Sequence, residues 1–483
     1  MLAVFAVLCN VLVLVSASNI GRFWHVTDFH YDQTYFTYQL SCNDDVPNPG
    51  PYGDYWCDSP WSLVQTTVDF MANASSGPGG VDFIIWTGDT VAHIHDENTS
   101  LPENLMILKN VTNLLETRFP GIPVYASLGN HDFYPSDQAE GNKSEIYRAV
   151  GDLWKAWISN QSQVDRFENG GFYSKIFSNA KVRLLALNTN LYITSNHETD
   201  GVADPADQFH WLTQQLEEAR AAGQKVIVTG HVPPGPLTKG LVNWMYSEQQ
   251  QVLVDILVSY SDVIAGTHFG HDHQDGFKLL QSSDGSKAVP QFTAASVTPW
   301  RFRVPTPTGE LVGDPHNPTV RLIEYDRDTG AHLDYHQYFI NLTDTNSNKR
   351  ANWAKLYSFK AAYSVPDMSV DSMRTIFERI KDGGGRTYTT RYCRYALASQ
   401  QNTPCTDETR GEIYCAGLYY KVPEAKACVA KYLKRINNGD RGVCGTVASE
   451  SALRSIGPLY RRFEPRHQSQ AWQKARKPEI TLL

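Results

Sequence analysis

The sequence lacks several features that would place the protein in a familiar class at once. Its eight cysteines include no C-x-x-C pair, so a thiolate zinc finger is not expected. Its formal net charge is −8, whereas a protein that binds nucleic-acid polymers would need a basic surface. No internal repeat is present, and no apolar run after residue 18 is long enough to span a bilayer. The composition is that of an ordinary globular protein, with 41% hydrophobic residues. The length of 483 residues suffices for one large domain and a smaller one.

One long apolar run lies at the start of the chain, MLAVFAVLCNVLVLVSAS, and it ends in small residues. We interpret residues 1–18 as a cleavable secretory signal, although the positive charge that usually precedes the apolar run is missing. A membrane anchor is the alternative. The last residues lack the hydrophobic tail that a glycolipid anchor signal requires. These observations predict a secreted or lysosomal protein that makes at most peripheral contact with membranes.

Two further features fit the secretory pathway. Removal of Cys9 with the signal leaves seven cysteines, which predicts disulfides with one thiol left over. Sequons for N-glycosylation are also present, although any single one is a weak signal. The candidate acceptors are Asn73, Asn98, Asn110, Asn142, Asn160 and Asn341.

Residues 19–345 alternate short apolar runs with longer amphipathic stretches, a pattern typical of a layered α/β domain. A helix is predicted to have Asp204 as its N-cap and Pro205 as its first residue, and to end at Gly223. Residues 346–445 lose the alternation and predict a smaller, mainly helical region tied by disulfides. Residues 446–483 form a basic tail that we expect to be disordered, with a basic arm on anionic lipid as the alternative. The strand candidates are 22–26, 81–87, 122–128, 182–188, 225–230, 262–266, 290–295 and 320–325.

Polar residues follow five of these strand candidates directly. In α/β sheets, ligands bind in the crevice beyond the carboxyl ends of the strands, so we expect these side chains to meet at one edge. Each motif alone is nearly worthless as a signal, but five in fixed order at strand ends are not a coincidence. Glycines 88, 129, 230 and 270 fit as well, because glycine lets the backbone turn tightly. The residues delivered are Asp28, His30, Asp89, Asn130, His131, Asp132, His231, His271 and His273.

The donor types in this set are nitrogen and oxygen without sulfur, which suits hard to borderline divalent cations. His271 and His273 are two positions apart, and on an extended segment they would point to the same side and reach neighbouring ions. The sequence therefore predicts a metal centre at the strand ends.

The ordered series D-x-H, GD, GNHD, GH and GHxH resembles the calcineurin-like metallophosphoesterases. The segments FWHVTDFHYD, GDYWCDSPW, IWTGDTVAH, LGNHDFYP, GHVPPG and VIAGTHFGHDH are similar to the acid sphingomyelinase-like phosphodiesterases in particular. The similarity spans roughly residues 21 to 430. It implies a four-layer α-β-β-α sandwich over residues 19–345 and an acid sphingomyelinase-type C-terminal domain over residues 346–445.

The resemblance also implies a site for two divalent cations, for which the family suggests zinc, while the donor set alone would tolerate manganese or iron. One cation would be held by Asp28, His30, Asp89 and His273. The other would be held by Asp89, Asn130, His231 and His271, with Asp89 bridging the two.

Two further histidines are assigned by the resemblance. His131 matches the proton donor, although it could instead orient phosphate, and His93 matches a residue of the phosphate pocket. His268 does not match a ligand position, and we expect it to have only a local role. Ala92 stands where purple acid phosphatases carry a tyrosine ligand, which argues against an iron–tyrosinate site. The implied disulfides are Cys42–Cys57, Cys393–Cys405 and Cys415–Cys428, which leaves Cys444 free.

The predicted function is that of a phosphodiesterase, in which a metal-bridging hydroxide attacks phosphorus in line. The substrate would contain a phosphodiester or phosphoanhydride, as in a sphingomyelin-like headgroup or a nucleotide derivative. Asp28 follows the signal by only about ten residues, which leaves no room for a saposin-like lipid-extracting module and favours soluble substrates. The alternatives are a phosphomonoesterase on the same fold and a catalytically silent secreted binding glycoprotein. We expect a monomer whose partner is this small molecule or lipid headgroup.

Overall fold

The computed structural model describes residues 19–77, 79–306, 309–381, 386–398 and 405–437. The predicted signal, the basic tail and Cys444 lie outside the described residues. The strands are β1 (Ile20–Val26), β2 (Phe83–Trp86), β3 (Val124–Ala126), β4 (Tyr173–Ile176), β5 (Val182–Ala186), β6 (Lys225–Thr229), β7 (Ile264–Phe269), β8 (Gly276–Gln281), β9 (Ala288–Thr293), β10 (Arg303–Thr306), β11 (Gly309–Val312), β12 (Thr319–Asp326), β13 (His332–Phe339) and β14 (Ala354–Ser358). The helices are α1 (Trp61–Ser75), α2 (Leu101–Arg118), α3 (Glu145–Ile158), α4 (Gln161–Gly170), α5 (Gln208–Ala221), α6 (Ser247–Ser259), α7 (Leu342–Asn348), α8 (Phe359–Tyr363), α9 (Val370–Lys381), α10 (Arg386–Ala396), α11 (Asp407–Ala416) and α12 (Val422–Asn437).

Two six-stranded sheets form the centre of the molecule. The first has the order β14-β13-β12-β1-β2-β3, and the second has the order β4-β5-β6-β7-β9-β8. Strands β1, β2 and β3 are parallel, as are β5, β6, β7 and β9. The sheets face each other, since Phe23 of β1 packs edge-on against His268 of β7 with ring centroids 5.5 Å apart. Strands β10 and β11 form a separate hairpin.

Helices cover the outer faces of both sheets. On the first sheet, Phe70 of α1 packs against Trp24, and Trp154 of α3 packs against Trp86. On the second sheet, Arg183 of β5 is bonded to the side chain of Gln215 in α5 at 2.9 Å. Strand β2 is buried along its whole length, as expected for a strand with a helix on one side and a second sheet on the other. The expected α-β-β-α arrangement is confirmed.

The start of α5 differs from the prediction. The helix begins at Gln208 rather than Pro205, because residues Pro205–Asp207 form a single 3-10 turn in which Ala206 has a φ of 57°. Asp204 still caps the helix with its side chain, although it lies four residues before the first helical residue. Its carboxylate accepts the main-chain N–H groups of Phe209 at 2.8 Å and His210 at 3.0 Å.

The described residues of the C-terminal region form α8 to α12 and one strand. That strand, β14, pairs with β13 and completes the first sheet, and Phe377 of α9 packs against Phe277 of β8. The predicted disulfide pairs Cys42–Cys57, Cys393–Cys405 and Cys415–Cys428 are all confirmed. The six sequon asparagines have exposed side chains, while their glycosylation stays a prediction. Among the described residues, no helix combines the length and the apolar composition that a membrane crossing needs.

Candidate metal centre and active site

The predicted polar residues meet between the two sheets. The ends of β1, β2 and β3 deliver one part of the set from the first sheet, and the ends of β6 and β7 deliver the rest from the second. The prediction that these side chains meet at the edge of one sheet was therefore incomplete, because the carboxyl ends of strands from two facing sheets build the site. Five of the side chains come from residues with left-handed backbone, a strained conformation that clusters at functional sites. Their φ angles are 51° at Asp28, 42° at His30, 53° at Asp89, 67° at His271 and 55° at His273.

The predicted extended segment around His271 and His273 was wrong. Strand β7 ends at Phe269, and both histidines lie in the bend that follows it. The two left-handed residues send their rings to neighbouring groups, His271 towards Asn130 and His273 towards Asp28. The two histidines therefore reach adjacent positions through a turn rather than through the alternation of a strand.

The first group of donors consists of Asp28, His30, Asp89 and His273. The Nε2 atom of His30 lies 3.3 Å from Asp89 Oδ2, 3.2 Å from His273 Nε2 and 3.7 Å from Asp28 Oδ1. The Nε2 atom of His273 lies 3.4 Å from Asp28 Oδ1. The four side chains thus surround one small volume.

The second group consists of Asp89, Asn130, His231 and His271. The Nε2 atom of His231 lies 3.1 Å from Asp89 Oδ2, 2.9 Å from Asn130 Oδ1 and 3.3 Å from His271 Nδ1. Asp89 Oδ2 is therefore shared by both groups. The structure brings together all seven residues predicted as metal ligands.

The chemistry of the donors fits cations. The Nδ1 atom of His30 lies 2.7 Å from the carbonyl of Val91, and that of His231 lies 2.6 Å from the carbonyl of Thr87. A carbonyl oxygen only accepts, so Nδ1 carries the proton and the neutral ring offers a lone pair at Nε2. Each Nε2 then faces carboxylate, amide and imidazole atoms that can also offer lone pairs, so the group as a whole suits a positive charge among them.

The electrostatics of the two histidines agree with this reading. Burial lowers the pKa of His231, but the neighbouring Asp89 carboxylate outweighs that effect and raises it to about 9. Burial likewise lowers the pKa of His30, and Asp89 and Asp28 together raise it well above its usual value. The carboxylates therefore favour a positive charge at these positions, which is supplied either by a proton on the ring or by a divalent cation bound in its place.

Two aspartates hold the ligands in place. Asp132 accepts the main-chain N–H groups of Gly129 at 2.8 Å and Thr90 at 2.7 Å, which ties the two ligand loops together. Asp137 accepts Nδ2 of Asn130 at 2.8 Å, so the amide oxygen of Asn130 is the atom directed at His231. Such partners behind the ligands fix the orientation of the donor atoms.

Two glycines let the ligand loops approach. Gly88 has a φ of 86°, and a Cβ there would overlap the main chain of Gly129. A Cβ on Gly129 would in turn overlap Asp89. Among the four glycines predicted to allow tight turns, only Gly88 has a left-handed φ, and the others are needed for close packing instead.

His131 and His93 lie side by side at the rim of the donor groups, with ring centroids 4.3 Å apart. The main-chain N–H of His131 donates to Asp89 Oδ1 at 2.9 Å, and its Nδ1 lies 3.1 Å from Ser136 Oγ. A ring nitrogen of His93 lies within 4.8 Å of ring nitrogens of His30 and His273. Both rings lie beside the candidate ligands, and the catalytic roles of the two histidines stay predictions.

His268 lies apart from this site. Its ring is buried between the sheets, where Nε2 lies 2.7 Å from Nε2 of His332 and the ring stacks on Phe292. Sequence reasoning missed three residues that the structure places beside the site, namely Asp58, Asp137 and Trp300. Asp58 lies in the quoted motif GDYWCDSPW, whereas Asp137 and Trp300 carried no signal.

Comparison with known proteins assigns the family. Residues 21–275 match the calcineurin-like phosphoesterase family model, and residues 291–435 match that of the acid sphingomyelin phosphodiesterase C-terminal region. The chain is 37% identical over 412 residues to the acid sphingomyelinase-like phosphodiesterase 3b of Mus musculus, covering 83% of this chain and 88% of that protein.

Two other relatives carry different names. The cyclic GMP-AMP phosphodiesterase SMPDL3A of Rattus norvegicus is 34% identical over 428 residues, with 86% of this chain and 93% of the relative covered. The sphingomyelinase phosphodiesterase C of Dictyostelium discoideum is 32% identical over 388 residues, with 77% of this chain and 84% of the relative covered. The chain belongs to the calcineurin-like phosphoesterase family and is a metal-dependent phosphodiesterase of the acid sphingomyelinase-like type.

Proposed function

We propose that the protein binds two divalent cations, with zinc as the expected metal, and hydrolyses small phosphodiester or phosphoanhydride substrates. One observation carries the proposal: two groups of acceptor atoms converge on the ring nitrogens of His30 and His231 and share Asp89 Oδ2. Nitrogen and oxygen donors without sulfur suit a dinuclear hydrolytic centre.

In this proposal the first cation is held by Asp28, His30, Asp89 and His273. The second is held by Asp89, Asn130, His231 and His271. Two cations bound side by side activate water for attack on phosphorus and neutralise the charge of the phosphoryl oxygens.

The chain itself supplies orientation and proton transfer. His131 would protonate the departing oxygen, and its main-chain bond to Asp89 and the contact of its ring with Ser136 support this role by holding the side chain beside the candidate ligands. Such a proton transfer is typically worth ~10²–10⁴-fold in rate. His93 lies beside it and would bind a phosphoryl oxygen, while the buried walls of the site keep solvent from the ligands.

For the substrate we propose a sphingomyelin-like headgroup or a nucleotide derivative. The names of the relatives support both, since one relative is a cyclic GMP-AMP phosphodiesterase and another a sphingomyelinase phosphodiesterase. We further propose that the protein is a secreted or lysosomal monomer, which the three disulfides and the six exposed sequons support.

The test is a substrate screen with the purified, metal-loaded protein. Sphingomyelin in detergent, CDP-choline, ATP and a cyclic dinucleotide are compared, together with bis(p-nitrophenyl) phosphate and p-nitrophenyl phosphate. We expect faster hydrolysis of the diester than of the monoester, and turnover of at least one natural substrate. Preference for the monoester would make the protein a phosphomonoesterase, and no hydrolysis of any compound would favour a silent binding protein.

A further inference from the structure

His93 is held on both faces of its ring. One face stacks on Trp300, with ring centroids 3.8 Å apart and planes inclined by 4°, and the ring of His30 stacks at 4.0 Å with planes inclined by 24°. Trp300 is itself anchored, because its indole N–H donates to the carbonyl of Ser41 at 3.0 Å. These contacts fix the plane of the imidazole, and the side chain of His93 is only 16% exposed.

Asp58 holds one edge of the same ring. The Nδ1 atom of His93 lies 3.1 Å from Oδ1 and 3.0 Å from Oδ2 of Asp58, and the main-chain N–H of His93 donates to Oδ2 at 2.7 Å. The carboxylate is fully buried. The two residues are 35 positions apart, so this contact is made by the fold rather than by neighbouring sequence.

The partners of Asp58 decide which ring nitrogen carries the proton. The hydroxyl of Thr298 donates to Oδ1 at 2.9 Å, and that hydroxyl itself accepts the main-chain N–H of Trp300 at 3.3 Å. The main-chain N–H of His93 can only donate to Oδ2. In the ionised form of Asp58 both oxygens act as acceptors, so Nδ1 of His93 is the donor and Nε2 remains to face the site.

We propose that Asp58 is a positioning residue for hydrolysis, because it fixes the orientation and tautomer of His93 so that Nε2 is presented to the phosphoryl group of the substrate. The proposal rests on the function proposed above, since His93 acts only if a phosphoryl group binds beside His30 and His273. This role accounts for the burial of the Asp58 carboxylate. Among the described residues, that carboxylate forms no hydrogen bond or ion pair with any of the seven predicted metal ligands.

The isosteric variant Asp58→Asn tests this role. An amide has a single oxygen, which can still accept from Thr298, and the NH₂ group that replaces the other oxygen can donate to Nδ1 of His93, so Nδ1 is no longer held as the donor. We compare Asp58→Asn, His93→Gln and the double variant on bis(p-nitrophenyl) phosphate, and measure kcat, KM and bound metal separately. Asp334→Asn is the matched control, since this buried carboxylate accepts the N–H of Lys360 outside the site.

The expected result is a ~100-fold lower kcat for Asp58→Asn with little change in KM or metal content. The double variant should be no slower than His93→Gln alone, because residues that act as a unit are not additive. Asp334→Asn should hydrolyse at the wild-type rate. The proposal is overturned if Asp58→Asn keeps the wild-type kcat, if the two losses multiply, or if Asp58→Asn loses its metal.

A second measurement depends neither on turnover nor on the folding of Asp58→Asn. In protein labelled with ¹⁵N-histidine, the ring signals of His93 are assigned by their loss in His93→Gln. A protonated Nδ1 supports the proposal, and a neutral ring with its proton on Nε2 overturns it. If the wild type hydrolyses no phosphodiester, the proposed function fails, while this spectrum still decides whether His93 has the tautomer that Asp58 would impose.

Discussion

Replacement of Asp137 by alanine should weaken metal binding although Asp137 is not a ligand. Its carboxylate accepts Nδ2 of Asn130 at 2.8 Å, and this bond directs the amide oxygen towards His231 and His271, at 2.9 Å from each ring. Without the acceptor, the amide of Asn130 can rotate and present its N–H groups to the cation. A hydrogen bond to a charged group contributes about 1.5–3 kcal/mol. Since 1.4 kcal/mol is a factor of ten, metal affinity should fall about 10–100-fold.

The assay is a competition between the protein and a chromophoric chelator of known zinc affinity. Asp137→Asn is the control, because its amide oxygen can still accept from Asn130 although it carries no charge, so it should lose clearly less zinc affinity than Asp137→Ala. The main-chain bond from Asp137 to the carbonyl of Asn130, at 2.9 Å, is kept in both variants. Wild-type affinity in Asp137→Ala would refute the reasoning. Equal losses in both variants would show that charge, rather than the orientation of the amide, is what matters.

Three further changes have defined outcomes. Asp89→Asn removes the carboxylate shared by both donor groups, so hydrolysis of bis(p-nitrophenyl) phosphate should be abolished and bound metal reduced; unchanged hydrolysis would rule out the mechanism. Gly129→Ala places a Cβ against Asp89, so thermal unfolding should occur at lower temperature and metal content should fall, and a wild-type melting curve would contradict this. Burial lowers the pKa of His268 and brings that of His332 to about 4, so both are more easily protonated in the unfolded chain. The free energy of unfolding should therefore decrease as the pH falls from ~6.5 towards 4. Replacement of His332 by glutamine should reduce this dependence on pH by up to ~1.4 kcal/mol per pH unit. If urea unfolding gives the same dependence on pH for His332→Gln and the wild type, the idea is wrong.

The strands that carry the ligands could be predicted because they are short apolar runs that stop at glycine and a polar residue. All eight candidates correspond to strands, from β1 at the start to β12. Among the described residues, six strands were missed, namely β4, β8, β10, β11, β13 and β14. In β8 and β13, the sequences GFKLLQ and HLDYHQYF mix polar and apolar residues without the pattern of a buried strand. Their polar side chains, such as Lys278 and Gln337, are buried among partners that only the folded sheets bring together.

The seven residues proposed as metal ligands could be identified for the same reason, because each follows a recognisable strand in a short motif. Asp58, Asp137 and Trp300 were not predicted as functional residues. A single aspartate or tryptophan has no periodicity, and the contact of Trp300 with His93 joins distant parts of the chain. The strained backbone at Asp28 and Asp89 was equally invisible, because the packing of the loops around the site imposes it.

The most direct test of the account is the metal content of the purified protein, measured together with hydrolysis before and after chelation. We predict two equivalents of divalent metal per chain, mainly zinc. Removal should abolish hydrolysis of bis(p-nitrophenyl) phosphate, and its return should restore the activity. A fully demetallated protein that still hydrolyses this diester at the original rate would contradict the account.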